Sequence, residues 1–555
     1  MLSPEYLLRV SEGGEEIAER LHQDILERII ERITLRLDRR DGYILTAQDK
    51  WQIEVLQDAG LLREDIAKEI AKATGLMQTE IAEAMEDAGV QAINYDNSIY
   101  KAAGLSPLPL EQSPYLIRLM QRTYEATVGE WVNFTRTTAD GVQQAFIQAC
   151  DKAYTQVASG SLGYSQAFLE AINAIIDSGA TVTYPSGHTD TIETATLRCI
   201  RTGISQATAQ ITDARMDEMN WDTILVSAHL GARVNDKQDF TNHYWWQGKF
   251  YSKSGNDKRF PPYSVCGEGN VQGIHGANCR HSHGPGDGEF NPYDQYDSEE
   301  NRREFELQQR QRTMERRIRE SKHEVMGLKK AMDCATTPES KAAVETEYQK
   351  AAALLQKRNK AYNDFCEENN LKKLSERITV AKWDRSQAAE ARAAAKKHHT
   401  DWLKSIGAES TSLNTIDKYL SAKYDGTDEY GILDGYRRAV EKGDISPLVG
   451  LQQYKITAAA IDDYIVGEIT STGVQIEGYV SHFIDRVIGQ SAESHPGKRR
   501  GVPVSDALDA LLNPVSPPVT KTMADGDIRQ TFTGKNAKVT ISKRDKIVIQ
   551  TNPWR

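Results

Sequence analysis

The chain is 555 residues long, carries a formal net charge of −11, and is 39% hydrophobic and 26% charged. That length is too great for one core and predicts roughly three or four domains. No apolar run reaches the roughly 18 residues of a membrane helix, so no span is expected, and Met1 to Arg9 lacks the basic-then-apolar order of a secretory signal. The six cysteines (Cys150, Cys199, Cys266, Cys279, Cys334 and Cys366) are mostly far apart and form no CxxC pair, a usage that fits a reducing cytoplasm better than a disulfide framework. Charge is uneven: residues 301–400 hold 23 basic against 15 acidic side chains, and the last 65 residues hold 11 against 6. Nucleic-acid contact therefore suits only the second half. A solvated helix face is the plainer account of the middle charges.

The opening region, residues 1–99, reads as a helical bundle. Ser3-Pro4-Glu5 is a helix start, with a hydroxyl for an orphan amide and proline in the first turn. Ile17, Leu21, Ile25, Ile29 and Ile33 recur every four residues and predict one sticky stripe. Asp41-Gly42 should break this helix and Thr46 should begin the next, through Trp51, Val55 and Leu56. Leu61 to Gly89 continues in helical period, with Gly60, Gly75 and Gly89 read as stops. Further helices are predicted over Tyr115–Asn133, Ala139–Ser159, Ser165–Ile176 and Thr191–Asn220. Between the last two, Gly179 to Gly187 alternates β-branched residues before Pro185-Ser186-Gly187 and predicts a small hairpin. All of 100–293 is taken as one domain.

Residues 229–283 differ from everything around them. Short aromatic runs are punctuated by Gly and Pro, and five of the twelve histidines crowd together. Thiolate and neutral imidazole are good zinc ligands, and four groups from His229, His243, Cys266, Cys279, His281 and His283 could close a tetrahedral structural site. The spacing is loose for that chemistry, since twelve residues separate Cys266 from Cys279. The competing reading is a small core in which Asn278 and His281 bond the Gly-rich turns, Trp245 and Trp246 fill space, and Cys279 is a buried thiol. A catalytic Cys/His pair lacks an orienting acid at a recognisable position.

Three strings here, SAHLGAR (227–233), WQGKFYSKSG (246–255) and GANCRH (276–281), resemble the signature of the phage minor capsid protein 2 family, related to the Mu F-like head-morphogenesis proteins. The residues carrying the likeness are His229, Arg233, Trp246, Gly248, Asn278, Cys279, Arg280 and His281, and a looser likeness covers roughly residues 1–290. The resemblance implies a virion structural protein in the phage head, made in the host cytoplasm and incorporated in low copy at or inside the portal vertex. Portal and other capsid proteins, and phage DNA, would be its partners. It also implies that the N-terminal helices help seat the protein near the portal.

Leu307, Gln311, Met314, Ile318, Ser321, Val325, Leu328 and Met332 keep a 4-3 rhythm, the seam of a coiled coil. Thr336-Thr337-Pro338 interrupts it, and Val344, Tyr348, Ala351, Leu355, Arg358, Tyr362 and Phe365 return. An antiparallel helical hairpin within an arm over 297–400 is the simplest structure, with pairing between chains as the competing one. Residues 401–470, with Asp425-Gly426 and Asp434-Gly435, read as a helical linker.

From residue 471 the grammar changes. Two short helices (Tyr479–Ile488 and Val504–Leu512) precede three strands (Ile528–Thr533, Ala537–Ser542, Ile547–Thr551), a compact α+β unit over 471–555. The strings SHFIDRVIG, RQTFTGKNAKVTIS and VIQTNP resemble phage forms of the barnase/EndoU/colicin/RelE-like nucleases. Metal-independent RNA cleavage needs a base for the 2′-hydroxyl and cations for the phosphorane. His482 could act as base or acid, with Arg486 one turn on. Arg529, Lys535 or Lys538 could hold phosphate and Thr551 could donate to it, with the helix histidine and strand threonine favoured by the resemblance. Host RNA would then be a substrate, and an immunity protein a partner. The plainer account makes His482 a core residue, the cations strand-edge guards and Thr551 an ordinary strand residue. The whole is expected to be a mainly α, multidomain protein ending in this α+β module.

Overall fold

The computed structural model describes residues 1–38, 48–184, 186–293, 295–407, 411–446, 448–489 and 499–554. Asp41-Gly42, Thr46 and Pro185, assigned above to a break, a helix start and a turn, lie outside them. Two compact units result, Met1–Ala391 and Arg392–Arg555. Among the described residues no helix is long and apolar enough to cross a membrane.

The first unit is mainly helical: α1 (Pro4–Arg9), α2 (Glu12–Leu37), α3 (Gln48–Ala102), α4 (Pro114–Ala158), α5 (Tyr164–Ser178) and α6 (Ile192–Glu218). Ser3 caps α1 by accepting from the Tyr6 N–H at 3.1 Å, and Leu21, Ile25, Ile29 and Ile33 of α2 are buried. Helix α3 runs through Gly60, Gly75 and Gly89, none of which stops it. Gly60 and Gly75 face open space, so each costs only ~1 kcal/mol in helix propensity. Against that cost, Trp51, Val55, Leu62, Ile66, Met77 and Ile81 bury one face of the same helix, at roughly 1.5–3 kcal/mol for each large side chain. The stripe wins. At Gly89 a Cβ would come within 2.8 Å of Met120 Cε, the movable end of a flexible side chain. The two helices expected over 115–159 are likewise one. Thr135 and Thr138 donate back to Trp131 O and Phe134 O, each at 3.0 Å, and so stay inside the helix instead of capping a new one.

Between α5 and α6, β1 (Thr181–Thr183) pairs antiparallel with β2 (Thr189–Thr191) as the expected hairpin. A three-stranded antiparallel sheet in the order β4-β3-β5 follows, built from β3 (Thr223–Val226), β4 (Phe250–Ser252) and β5 (His283–Pro285), with a one-turn helix α7 (His243–Trp246). Then α8 (Ser298–Cys334) and α9 (Pro338–Glu368) form the helical hairpin. Ile318, Val325 and Leu328 on α8 and Val344, Tyr348, Leu355 and Tyr362 on α9 are buried. The hairpin lies on the body of the unit, with α8 against α2 and α5 against both of its helices. Asp38, just past α2, holds its turn by accepting from the Thr337 N–H at 3.1 Å and hydroxyl at 2.6 Å.

The second unit contains α11 (Ile416–Asp425), α12 (Asp428–Glu441), α13 (Leu451–Tyr464), α14 (Ser481–Ile488) and α15 (Val504–Leu512), preceded by α10 (Arg385–Ser405), which spans the division. Its sheet has five strands, not three, in the order β6-β10-β9-β8-β7. These are β6 (Gly478–Tyr479), β7 (Val519–Thr522), β8 (Ile528–Thr533), β9 (Ala537–Ser542) and β10 (Ile547–Pro553). Tyr479, expected in a helix, instead pairs parallel to Val548, because its hydroxyl is drawn to α13, donating to Ala458 O at 3.2 Å and Asp462 Oδ2 at 3.0 Å. Helix α13 packs on both α14 and α15, so its Tyr454 and Ile461 belong to one core with Phe483, Leu511 and Val539.

Candidate functional site

The loops between β3 and β5 are held by backbone conformations few residues tolerate. Gly267 has φ 72°, and a Cβ there would meet Phe240 at 2.4 Å. His275 and Asn278 have φ 58° and 60° without being glycine, a strain of about 1–3 kcal/mol at a residue such as histidine that the surroundings must offset. Asn278 is exposed and contributes through this backbone turn. Arg233 braces the turn from the far side, donating to Gln272 O at 3.3 Å and Ala277 O at 3.2 Å. Gly248, at φ 63°, lets its strand pass Ala228, whose Cβ would be 3.1 Å from one placed on it.

Inside this frame the ligand-capable atoms of His243, Cys279 and His281 lie within 4.8 Å of one another, all buried. His243 donates its Nε2–H to Gln272 O at 2.8 Å, and His281 donates its own to Gln247 Oε1 at 2.9 Å. Both rings therefore keep an unprotonated Nδ1, and that of His281 is 3.6 Å from Cys279 Sγ. Fixing a ring through its second nitrogen is what an outer shell does for a metal-ligating histidine. His229 stacks on His281 with centroids 4.5 Å apart. Its Nδ1 is 3.0 Å from Leu230 O and 3.3 Å from Arg280 Nη2; one nitrogen cannot serve both as donor and acceptor, and the shorter carbonyl contact sets the tautomer. Arg280 finds a second partner in Gln308 Oε1 of α8 at 3.2 Å. His229 and Cys266 lie outside the three-residue group. Trp246 is buried beside it, its indole N–H given to Phe240 O at 3.1 Å.

Burial holds these imidazoles neutral. It lowers His229 to about 3 and His243 to about 4, and His281 falls well below its usual range. The same burial pushes the Cys279 thiol up to about 11 and Cys266 to about 12. A thiol in that state beside a neutral ring is no activated nucleophile. Two neutral imidazoles and a thiol that only a cation would ionise are instead donor types that zinc accepts. Without an ion, the donated N–H bonds already close the group as a core.

Gln247, Asn301 and Ser205, which the sequence did not single out, complete the arrangement, and His283, a candidate ligand above, falls outside the three-residue group. Gln247 serves two partners, since its Oε1 also accepts from the His229 N–H at 3.1 Å. Asn301 on α8 clamps Ala232 through bonds of 2.9 and 3.0 Å. Behind the cluster, Ser205 Oγ, His275 and His283 form a chain with steps of 2.8 Å, ending 3.4 Å from Asp213. The crowding of histidines was the one visible signal for these.

A model of the family described as Phage minor capsid protein 2 matches residues 2–361. The chain belongs to the phage minor capsid protein 2 family. No curated protein and no solved structure matches it. The span matched to the minor capsid family takes in α8 and most of α9 as well as the central loops, in keeping with the Asn301 and Arg280 bonds that tie the loops to α8. As a phage minor capsid protein the chain is a structural component in head morphogenesis.

Residues 362–555 lie beyond that match, and there the residues expected to handle RNA fall into separate places. On α14, Arg486 donates its Nε–H to His482 Nε2 at 2.9 Å and reaches Asn552 Oδ1 at 3.4 Å. His482 Nδ1 is 3.6 Å from Asp485 Oδ2. Burial and the Arg486 charge lower His482, and burial raises Asp485 to about 6. Lys538, opposite Asn552, holds its ammonium 3.3 Å over the Trp554 ring. Arg529 lies two strands from β10 and pairs with Asp527 at 3.4 Å, and Lys535 is exposed in the β8–β9 turn. Thr551 is fully buried, and its hydroxyl donates to Lys538 O at 3.0 Å. The His482–Arg486–Asn552 line was half legible; Asn552 and Trp554 were not singled out.

Proposed function

We propose that this minor capsid protein sits in low copy at the portal vertex or on the inner face of the phage head, where it assists assembly. The family match over residues 2–361 carries this reading. Portal and other capsid proteins are its partners, met in the host cytoplasm during assembly, and packaged DNA is the contact proposed for the basic hairpin. In this scheme 1–99 anchors, 100–293 forms the body, 297–400 adds the hairpin that lies against it, and 401–470 links to a carried module over 471–555. Mass spectrometry of purified particles tests it: peptides from both units are expected at far lower abundance than the major capsid protein. Absence from intact particles overturns it.

A second reading, that the C-terminal module is a metal-independent ribonuclease guarded by an immunity protein, rests on the His482–Arg486–Asn552 line. Arg486 occupies the His482 Nε2 lone pair and would have to turn to the phosphate for the ring to act as general base. The purified full chain is expected to cleave RNA in chelator, with His482→Ala losing about 10²–10⁴-fold of the rate. No cleavage by the wild-type chain sinks this reading and leaves the capsid role standing.

A further inference from the structure

Some distance along the sequence from the central loops, three helices of the first unit bring a second set of donors together. Glu19 and His22 are one turn apart on α2, and so share a face. Glu193 stands in the first turn of α6, and His323 lies on α8. All four side chains are buried, between 3% and 6% exposed. The rings of His22 and His323 stack with centroids 4.3 Å apart and planes within 10°. Donor atoms of His22, Glu193 and His323 lie within 4.8 Å of one another.

The hydrogen bonding of this group is incomplete in an informative way. His22 Nδ1 is 2.8 Å from Glu193 Oε2, and its Nε2 accepts from the Ala180 N–H at 3.4 Å. His323 uses Nδ1 toward Gln23 Oε1 at 3.2 Å, which leaves Nε2 with a lone pair. That lone pair is 3.2 Å from Glu19 Oε2, yet neither atom has a hydrogen-bond partner, and Glu19 Oε1 has none either. Two lone-pair atoms this close in a buried site repel unless a proton or a metal cation stands between them. Among the nearby side-chain cations, Arg319 keeps Nε 3.7 Å from Glu19 Oε1, beyond hydrogen-bond range, and donates through Nη1 to Arg377 O at 2.5 Å, while Lys322 donates to Ile378 O.

We propose that Glu19, His22, Glu193 and His323 bind one divalent transition-metal ion through nitrogen and oxygen, stapling α2, α6 and α8. Bonds of about 2.0–2.2 Å from imidazole and carboxylate suit zinc, and two carboxylates with two imidazoles also suit manganese or iron. On binding, the His22 proton moves from Nδ1 to Nε2, displacing the long Ala180 contact, so that the neutral ring coordinates through Nδ1, and any proton held by Glu19 is released to solvent. This group has no sulfur donor, which separates it from His243, Cys279 and His281.

Cobalt(II) added to the metal-free full chain reads the difference, because a thiolate ligand adds an intense sulfur-to-metal charge-transfer band. An equivalent of cobalt with weak visible bands and no such contribution is expected, retained in Cys279→Ser and lost in Glu19→Gln. His323→Gln is the second variant should Glu19→Gln not fold, and loss of the weak bands is expected there too. Metal removal is expected to lower the melting temperature of Cys279→Ser and not that of the double variant Cys279→Ser/Glu19→Gln. A chain that binds no cobalt, a spectrum of thiolate type alone, or weak bands that survive Glu19→Gln overturns the proposal.

Discussion

Gln247→Leu tests whether the central loops are organised by one amide. Its Oε1 accepts from the His281 Nε2–H at 2.9 Å and the His229 N–H at 3.1 Å, in a side chain 5% exposed. Leucine keeps the volume and removes both acceptances. Leaving a buried donor unpaired costs about 1–3 kcal/mol, so two predict roughly 2–6 kcal/mol, a large share of the ~5–15 kcal/mol that holds a domain together. The His281 tautomer would also be released, so any ion at Nδ1 should bind more weakly. Urea unfolding followed by tryptophan fluorescence measures the cost, since Trp246 lies 4.7 Å from the His281 ring. Gln206→Ala, which removes only a rim contact to His275 O at 3.4 Å, serves as control at about 0.5 kcal/mol or less. Should Gln247→Leu cost no more than this control, the amide does not organise the site.

Acid should act through the same rings. His229 is lowered to about 3 by burial from an unfolded value of about 6.5, so its contribution is complete above that unfolded value and shrinks as pH falls toward 3. Each pH unit in the window removes up to ~1.4 kcal/mol. The stability difference between wild type and His229→Asn should therefore narrow from pH 6.5 to 4.5, and a constant difference refutes the neutral ring. Gly60→Ala, with open space at its Cβ, should stabilise α3 by up to ~1 kcal/mol. Gly273→Ala, whose Cβ would lie 2.1 Å from Gly267 O, should cost several times that, about 3 kcal/mol or more; equal melting temperatures would contradict both. Zinc analysis should find an equivalent removed by Cys279→Ser, and a metal-free protein whose melting ignores chelator would make the His243–Cys279–His281 group a hydrogen-bonded core.

How far the sequence could be read depended on how local the cause was. The strands β8, β9 and β10 were legible because alternating apolar residues meet turn residues at Gly534-Lys535-Asn536. The burial of Thr551 has a local cause that composition hides. An irregularity between Val548 and Gln550 shifts the register, which turns Thr551 to the same buried face as Val548. Gly60 and Gly75 look like helix stops until the buried stripe on α3 is known. His243, Cys279 and His281 could be nominated from crowding, but the choice of these three over His229 and Cys266 needed the loops. Glu193 and His323 could not have been joined to Glu19 and His22, since only the spacing of the latter pair is local.

The bonds of α2 reach forward over most of the first unit. His22 meets Glu193, Gln23 meets His323 three hundred positions later, and Asp38 waits for Thr337. At about 5–20 residues per second, translation takes roughly 15–60 s to deliver those partners. The apolar stripe of α2 is covered earlier, by α3 and α6, while Gln23 Oε1 and Asp38 wait for α8 and the turn after it. Ribosome-bound chains stopped short of α8 should therefore leave these two polar groups to water.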